Sequence, residues 1–186
     1  AELLVRGLWF GVSAIAPQLA HDWSLSESSS AWLTLAVQFG FVVGTLLSAI
    51  LNLPDVIRSR HLFVISALLG AAANLVLAAL AHASGPAIAL RFITGLCRAG
   101  VYPPGRKIMA TWFRRGRGLA LGVLVGPLTL GKASPYLVAT FGSGSWRFNV
   151  ALASVFASVG ALVVLFFVRD GPYALPNQRL DFSQVT

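Results

Sequence analysis

Six stretches of hydrocarbon length run through this sequence, at residues 3–20, 31–53, 62–81, 86–105, 119–141 and 146–168, and nothing constrains its fold more. A helix needs about 20 apolar residues to cross the hydrocarbon core of a bilayer. Lipid offers no partner for a backbone N–H or C=O, so each run is expected as a helix. Charged residues make up 11% of the chain, where a soluble domain carries about 25%. The interiors of the runs are rich in glycine and alanine, as at Gly70–Ala73; small residues let helices approach closely in lipid. The expectation is an all-α membrane protein of six transmembrane helices. Residues 1–168 form the bundle, and 169–186 form the start of a cytoplasmic linker. The chain opens at Ala1 inside an apolar run, without a basic leader or a small-residue cleavage site. It therefore reads as a truncated chain and not as a signal peptide.

The net charge of +8 does not point to nucleic acid, because the basic residues sit between the apolar runs and form no aromatic-interleaved face. Arg58 and Arg60 follow the second run, Arg106, Lys107, Arg114, Arg115 and Arg117 the fourth, and Arg169 and Arg179 the sixth. The alternate connections hold His21, Asp22, Glu27 and His82 with a lone Arg147. Cytoplasmic loops carry the Lys/Arg excess. The pattern therefore predicts a multi-pass protein of the cell membrane with its N-terminus and tail in the cytoplasm. Trp23, Trp32, Trp112 and Trp146 fall near run ends and are expected as interfacial anchors. Arg6, Pro17 and Trp23 in the first run are echoed by Arg91, Pro103 and Trp112 in the fourth. Three helices followed by three of opposite topology would make a 3+3 inverted repeat.

Motifs for catalysis fail. Gly126-Pro-Leu-Thr-Leu-Gly131-Lys132-Ala133 has Ala133 where a phosphate-binding loop needs a hydroxyl, and it lies inside an apolar run. The turn from Gly142 to Ser145 has no neighbouring base, since His21, His61 and His82 all fall at run ends. A single cysteine, Cys97, reads as a small apolar residue of a packed helix. No catalytic residue, metal or cofactor is implied.

Charges inside the runs are more informative. Arg91 and Arg98 lie seven apart, hence on one helical face, with Thr94, Gly95 and Tyr102 close by, and Lys132 lies inside the fifth run. A cation at mid-membrane costs roughly 2.5–3.5 kcal/mol and normally faces protein or a watery cavity. No Asp or Glu is expected inside any run to neutralise them. Three readings stay open: snorkelling to headgroups, packing against backbone carbonyls, or attraction of an anionic substrate. Arg98, Lys132, Gln38 and Tyr102 are the candidate substrate-binding residues. Gln38 and Asn74 carry the alternative reading of interhelical hydrogen bonds.

The layout resembles the major facilitator superfamily. The resemblance rests on Leu51-Asn-Leu-Pro-Asp55-Val-Ile-Arg58-Ser-Arg60, on Arg91-Phe-Ile-Thr-Gly95 with Gly100 and Pro103, on Trp112-Phe-Arg-Arg-Gly-Arg117-Gly118-Leu-Ala-Leu-Gly122, and on Trp146-Arg147. The first motif departs from the family pattern at Leu51, which replaces a glycine, and at Val56, which replaces an arginine. Gly122-x-x-x-Gly126-Pro127-x-x-x-Gly131 is similar in part to a motif of family antiporters, with Leu130 breaking it. The resemblance implies one six-helix half of a twelve-helix secondary transporter that works by alternating access. Its partners would be the lipid bilayer, a small-molecule substrate with an anion as one candidate, and a missing C-terminal half. It also implies a conformational switch at Asp55 with Arg58, Arg60, Arg91, Arg115 and Arg117. The competing reading is a decayed or truncated fragment that serves only as a membrane scaffold.

Overall fold

The computed structural model describes residues 1–81, 83–113, 118–119, 122–123, 125–126, 145–169 and 171–173. Among them every regular element is helical: α1 Glu2–Asp22, α2 Glu27–Ile50, α3 Leu53–Val56, α4 Ser59–Leu80, α5 Ser84–Arg98, α6 Tyr102–Trp112 and α7 Trp146–Phe167. The first, second, third and sixth runs correspond to α1, α2, α4 and α7. All but scattered positions of the fifth run lie outside the described residues, as do His82, the basic residues Arg114, Arg115 and Arg117, and the tail beyond Tyr173. Among the described residues three helices, α2, α4 and α7, are long and apolar enough to cross a membrane by length and composition.

The fourth run departs from expectation. It is not one helix but two, α5 and α6, separated at residues 99–101. The cause is Pro103-Pro104: proline has no N–H, so the carbonyls of Ala99 and Gly100 lose the donors that would continue the helix. The chain tightens before the break, where the amides of Ala99, Gly100 and Val101 bond three residues back, to Leu96, Cys97 and Arg98, as helix ends commonly do.

Two seams hold the bundle. In the first, α2 packs against α5 through Gly40 and Gly44 on one helix and Gly95 on the other. A Cβ at Gly40 would run into the backbone of Phe92, and one at Gly95 into the backbone of Val37. Without side chains there, the two backbones touch directly, and dispersion supplies the adhesion that the hydrophobic effect cannot supply in lipid. In the second seam, α4 packs against α7. Asn74 is buried and donates through Nδ2 to the carbonyl of Val150 (3.2 Å) and to Ser154 Oγ (3.1 Å). Helix α1 lies against both α7 and α2, and the apolar side chains of Val5, Leu8, Phe63, Ala67, Ala157 and Ala161 form the core between α1, α4 and α7. The outward faces carry exposed Leu46, Ile50, Leu69, Leu80, Phe166 and Phe167. Apolar surface on that scale needs a cover other than water, which a bilayer supplies.

The two ends of the bundle differ. At one, Trp23 meets Trp146 edge to face at 5.3 Å. Trp146 is buried there, which corrects its expected role as an interfacial anchor: its ring fills the gap between the exit of α1 and the entry of α7. Arg147 beside it donates to the carbonyls of Ala78 (2.6 Å) and Ala81 (3.1 Å), closing the C-terminus of α4 with a cation as the helix dipole favours. The other end gathers α3, α6, Gly171 and Tyr173, with Arg58, Arg60, Arg106, Lys107 and Arg169. Asn52 turns the chain there, with a φ of 47° between α2 and α3, a left-handed conformation that asparagine tolerates.

Candidate functional site

Helix α5 buries two cations in the bundle interior. Arg91 is 0% exposed. Its guanidinium donates from Nε to the carbonyl of Leu33 (3.3 Å), from Nη1 to that of Leu8 (2.9 Å) and from Nη2 to that of Trp9 (2.9 Å). Arg91 therefore does not snorkel to headgroups. Its planar fork, with donors in fixed directions, ties α1 and α2 to α5. A cation surrounded by carbonyl dipoles needs no acid beside it, and this accounts for the position better than a search for carboxylates does.

Arg98 lies two turns further along the same face and is 2% exposed. Its Nη1 donates to the carbonyl of Val5 at 2.7 Å, and its guanidinium rests over the Trp9 ring at 5.5 Å. Enclosed within this bundle, it does not present itself on an outer face. Glu2 and Arg6, one turn apart on α1, are buried and form an ion pair at 3.2 Å. Glu2 lies one residue before the first apolar run, which itself holds no acid; α1 begins at Glu2 and carries its side chain inward. Tyr102 is half-buried, with the guanidiniums of Arg6 and Arg106 at 5.5 Å and 5.7 Å from its ring. Such cation–π contacts contribute about 0.5–1 kcal/mol at exposed sites and more when desolvated.

Of the candidate substrate-binding residues, Arg98 and Tyr102 both neighbour α1, while Gln38 is exposed on α2; Lys132 lies outside the described residues.

The candidate switch is organised around a residue that sequence reasoning left among the loop cations. Asp55 on α3 accepts a hydrogen bond from Lys107 Nζ on α6 at 2.6 Å, and the same ammonium bonds the carbonyl of Pro54. Their side chains are 46% and 32% exposed. Arg58 is exposed at the N-cap of α4 and Arg60 is half-buried in its first turn. Arg91 belongs to the interior clasp, and Arg115 and Arg117 lie outside the described residues. The signal that could have found Lys107 is its place: it sits at the midpoint of an eleven-residue helix that the paired prolines force, one turn after Pro103, on the side where the Asp55 connection returns.

These observations agree with comparisons to known proteins. The family model described as Major Facilitator Superfamily matches residues 1–183. Among solved structures, the chain is similar to a bacterial homologue of the human lysosomal transporter Spinster, in an inward-facing and unoccupied conformation. The TM-score is 0.66 at 13% identity, over 98% of this chain and 44% of that one. The chain thus spans less than half the length of that structure.

Proposed function

The chain belongs to the Major Facilitator Superfamily, and from that membership we propose that it forms the N-terminal six-helix half of a secondary transporter that moves a small solute by alternating access. Two such halves would rock about a site at the membrane midplane. The 3+3 inverted repeat, the twelve-helix whole and the cytoplasmic position of the N-terminus and tail are parts of this reading. The clustering of Arg58, Arg60, Arg106, Lys107 and Arg169 at one end of the bundle supports the orientation.

The observation that carries the mechanism is the Asp55–Lys107 pair. It is shallow, half-exposed and joins two short elements, and exposed ion pairs stabilise by only about 0–1 kcal/mol. A contact of that strength biases a two-state equilibrium without locking it. In this reading the pair closes one state at the basic end and opens in the other. Arg58 and Arg60 line the same end as alternative partners, Arg115 and Arg117 are proposed for the same role from the sequence alone, and Arg91 holds α1, α2 and α5 as one body that moves together. Arg98, Lys132, Gln38 and Tyr102 remain the proposed substrate contacts, with an anion as the favoured solute because, among the described residues, the bundle encloses more cations than acids.

The test is uptake by the intact protein in proteoliposomes, offered small organic and inorganic anions first. Asp55→Asn should slow uptake with little loss of folded protein, and Arg98→Ala should raise the apparent substrate constant. Undiminished uptake by the Asp55 variant would remove the switch, and a misfolded Arg98 variant would return that residue to packing alone. The competing reading, a non-transporting membrane scaffold, predicts no saturable uptake of any solute.

A further inference from the structure

The segment that leaves α7 does not run free. The amide of Gly171 donates to Thr111 Oγ1 at 2.8 Å, the amide of Tyr173 donates to the Thr111 carbonyl at 3.1 Å, and Trp112 Nε1 donates to the carbonyl of Arg169 at 3.0 Å. The Thr111 hydroxyl in turn donates to the carbonyl of Ile108 at 2.6 Å. It acts as donor and acceptor together, the full use of one hydroxyl proton. Gly171 lies so close to the backbone of Thr111 that a Cβ would collide with its carbonyl.

This strap joins two elements that share α4 as a neighbour and differ in their other partners. Helix α6 packs on α4 and touches α3, while α7 packs on α4 and α1. Between α6, the end of α7 and the first turn of α1 lies a cavity of about 290 Å³ lined by Glu2, Phe63, Ile108, Met109, Val164 and Val168. Ile108 and Met109 belong to the helix that holds the strap, and Val168 is the residue from which the strap departs. The strap therefore ties together two of the cavity's walls, others being the first turn of α1 and Val123 of the fifth run.

We infer that Arg169, Gly171 and Tyr173 form a latch: hydrogen-bonded to Thr111 and Trp112, they hold α6 against the exit of α7 and keep this cavity narrow, and their release lets α6 swing outward. The latch does not depend on which solute the protein moves.

The test places a cysteine on the α6 wall by Met109→Cys, in intact membrane-embedded protein carrying Cys97→Ala. It follows the rate of modification by a small membrane-impermeant maleimide. Thr111→Val removes the side-chain acceptor, and loss of one such bond should speed modification about fivefold. Thr111→Ser keeps the hydroxyl and should leave the rate unchanged. Gly171→Ala forces the strap off the Thr111 carbonyl and should give an increase of about tenfold or more. Unchanged rates in Thr111→Val and Gly171→Ala would overturn the latch, as would equal acceleration by Thr111→Val and Thr111→Ser. If Gly171→Ala fails to fold, the comparison of the two Thr111 variants decides alone.

Discussion

The interior clasp around Arg91 and the basic end around Asp55 use the same chemistry, a cation held by oxygen acceptors, for opposite purposes. Arg91 is sealed, bonded to three carbonyls on two other helices, and has no water to fall back on. Lys107 holds one carboxylate and one carbonyl with a third of its side chain in solvent. In the first place, breaking the contact strands a buried charge and its acceptors; in the second, water replaces the lost partner. Burial, more than the identity of the charged group, separates a contact that water cannot replace from one that it can.

Substitutions can break or sharpen this contrast. The largest effect is expected at Arg91→Met, which removes the fork that ties α1 and α2 to α5 and leaves its place among their carbonyls to an apolar side chain. Stability should fall by about 3 kcal/mol or more, read as the thermal unfolding midpoint in detergent. Arg91→Lys should recover less than half of that loss, because a point charge cannot serve three diverging carbonyls. Next comes Gly95→Val, which wedges α2 from α5 at their closest approach and should cost about 2–3 kcal/mol in the same measurement. Asn74→Ala, at the α4–α7 seam, exchanges two hydrogen bonds for none and should cost about 1 kcal/mol. Asp55→Asn should change stability least, by under about 1 kcal/mol, while changing uptake most relative to its structural effect. If Asp55→Asn destabilised the fold as much as Arg91→Met, the contrast between the two regions would fail.

Much of the fold was legible in hydrophobic length. The runs at 3–20, 31–53, 62–81 and 146–168 have counterparts in α1, α2, α4 and α7 because lipid leaves a long apolar segment few alternatives to a helix. The fourth run misled, since composition cannot weigh two missing N–H groups against continued apolarity, and Pro103-Pro104 ended α5 where hydropathy did not. Glu2 was missed for the complementary reason: an apolar window excludes the acid at its edge, although the helix includes it. Gly40 and Gly44 were legible as residues but not as a seam, because which face of α2 meets α5 is decided by the partner helix. At the site, Arg91 and Asp55 stood out by residue type, yet their partners did not. Carbonyls of Leu8, Trp9 and Leu33 carry no sequence signal, and Lys107 looked like one loop cation among many until α6 placed it over α3.

The central claim, a membrane bundle whose basic end lies together on one side, is tested most directly by thiol labelling of single cysteines from each face of the bilayer. Arg58→Cys and Arg106→Cys, each in a Cys97→Ala background, should react with a membrane-impermeant reagent only in inside-out vesicles. Ser24→Cys, at the opposite end, should react only in right-side-out vesicles. Labelling of positions 58 and 106 from opposite faces would contradict the account.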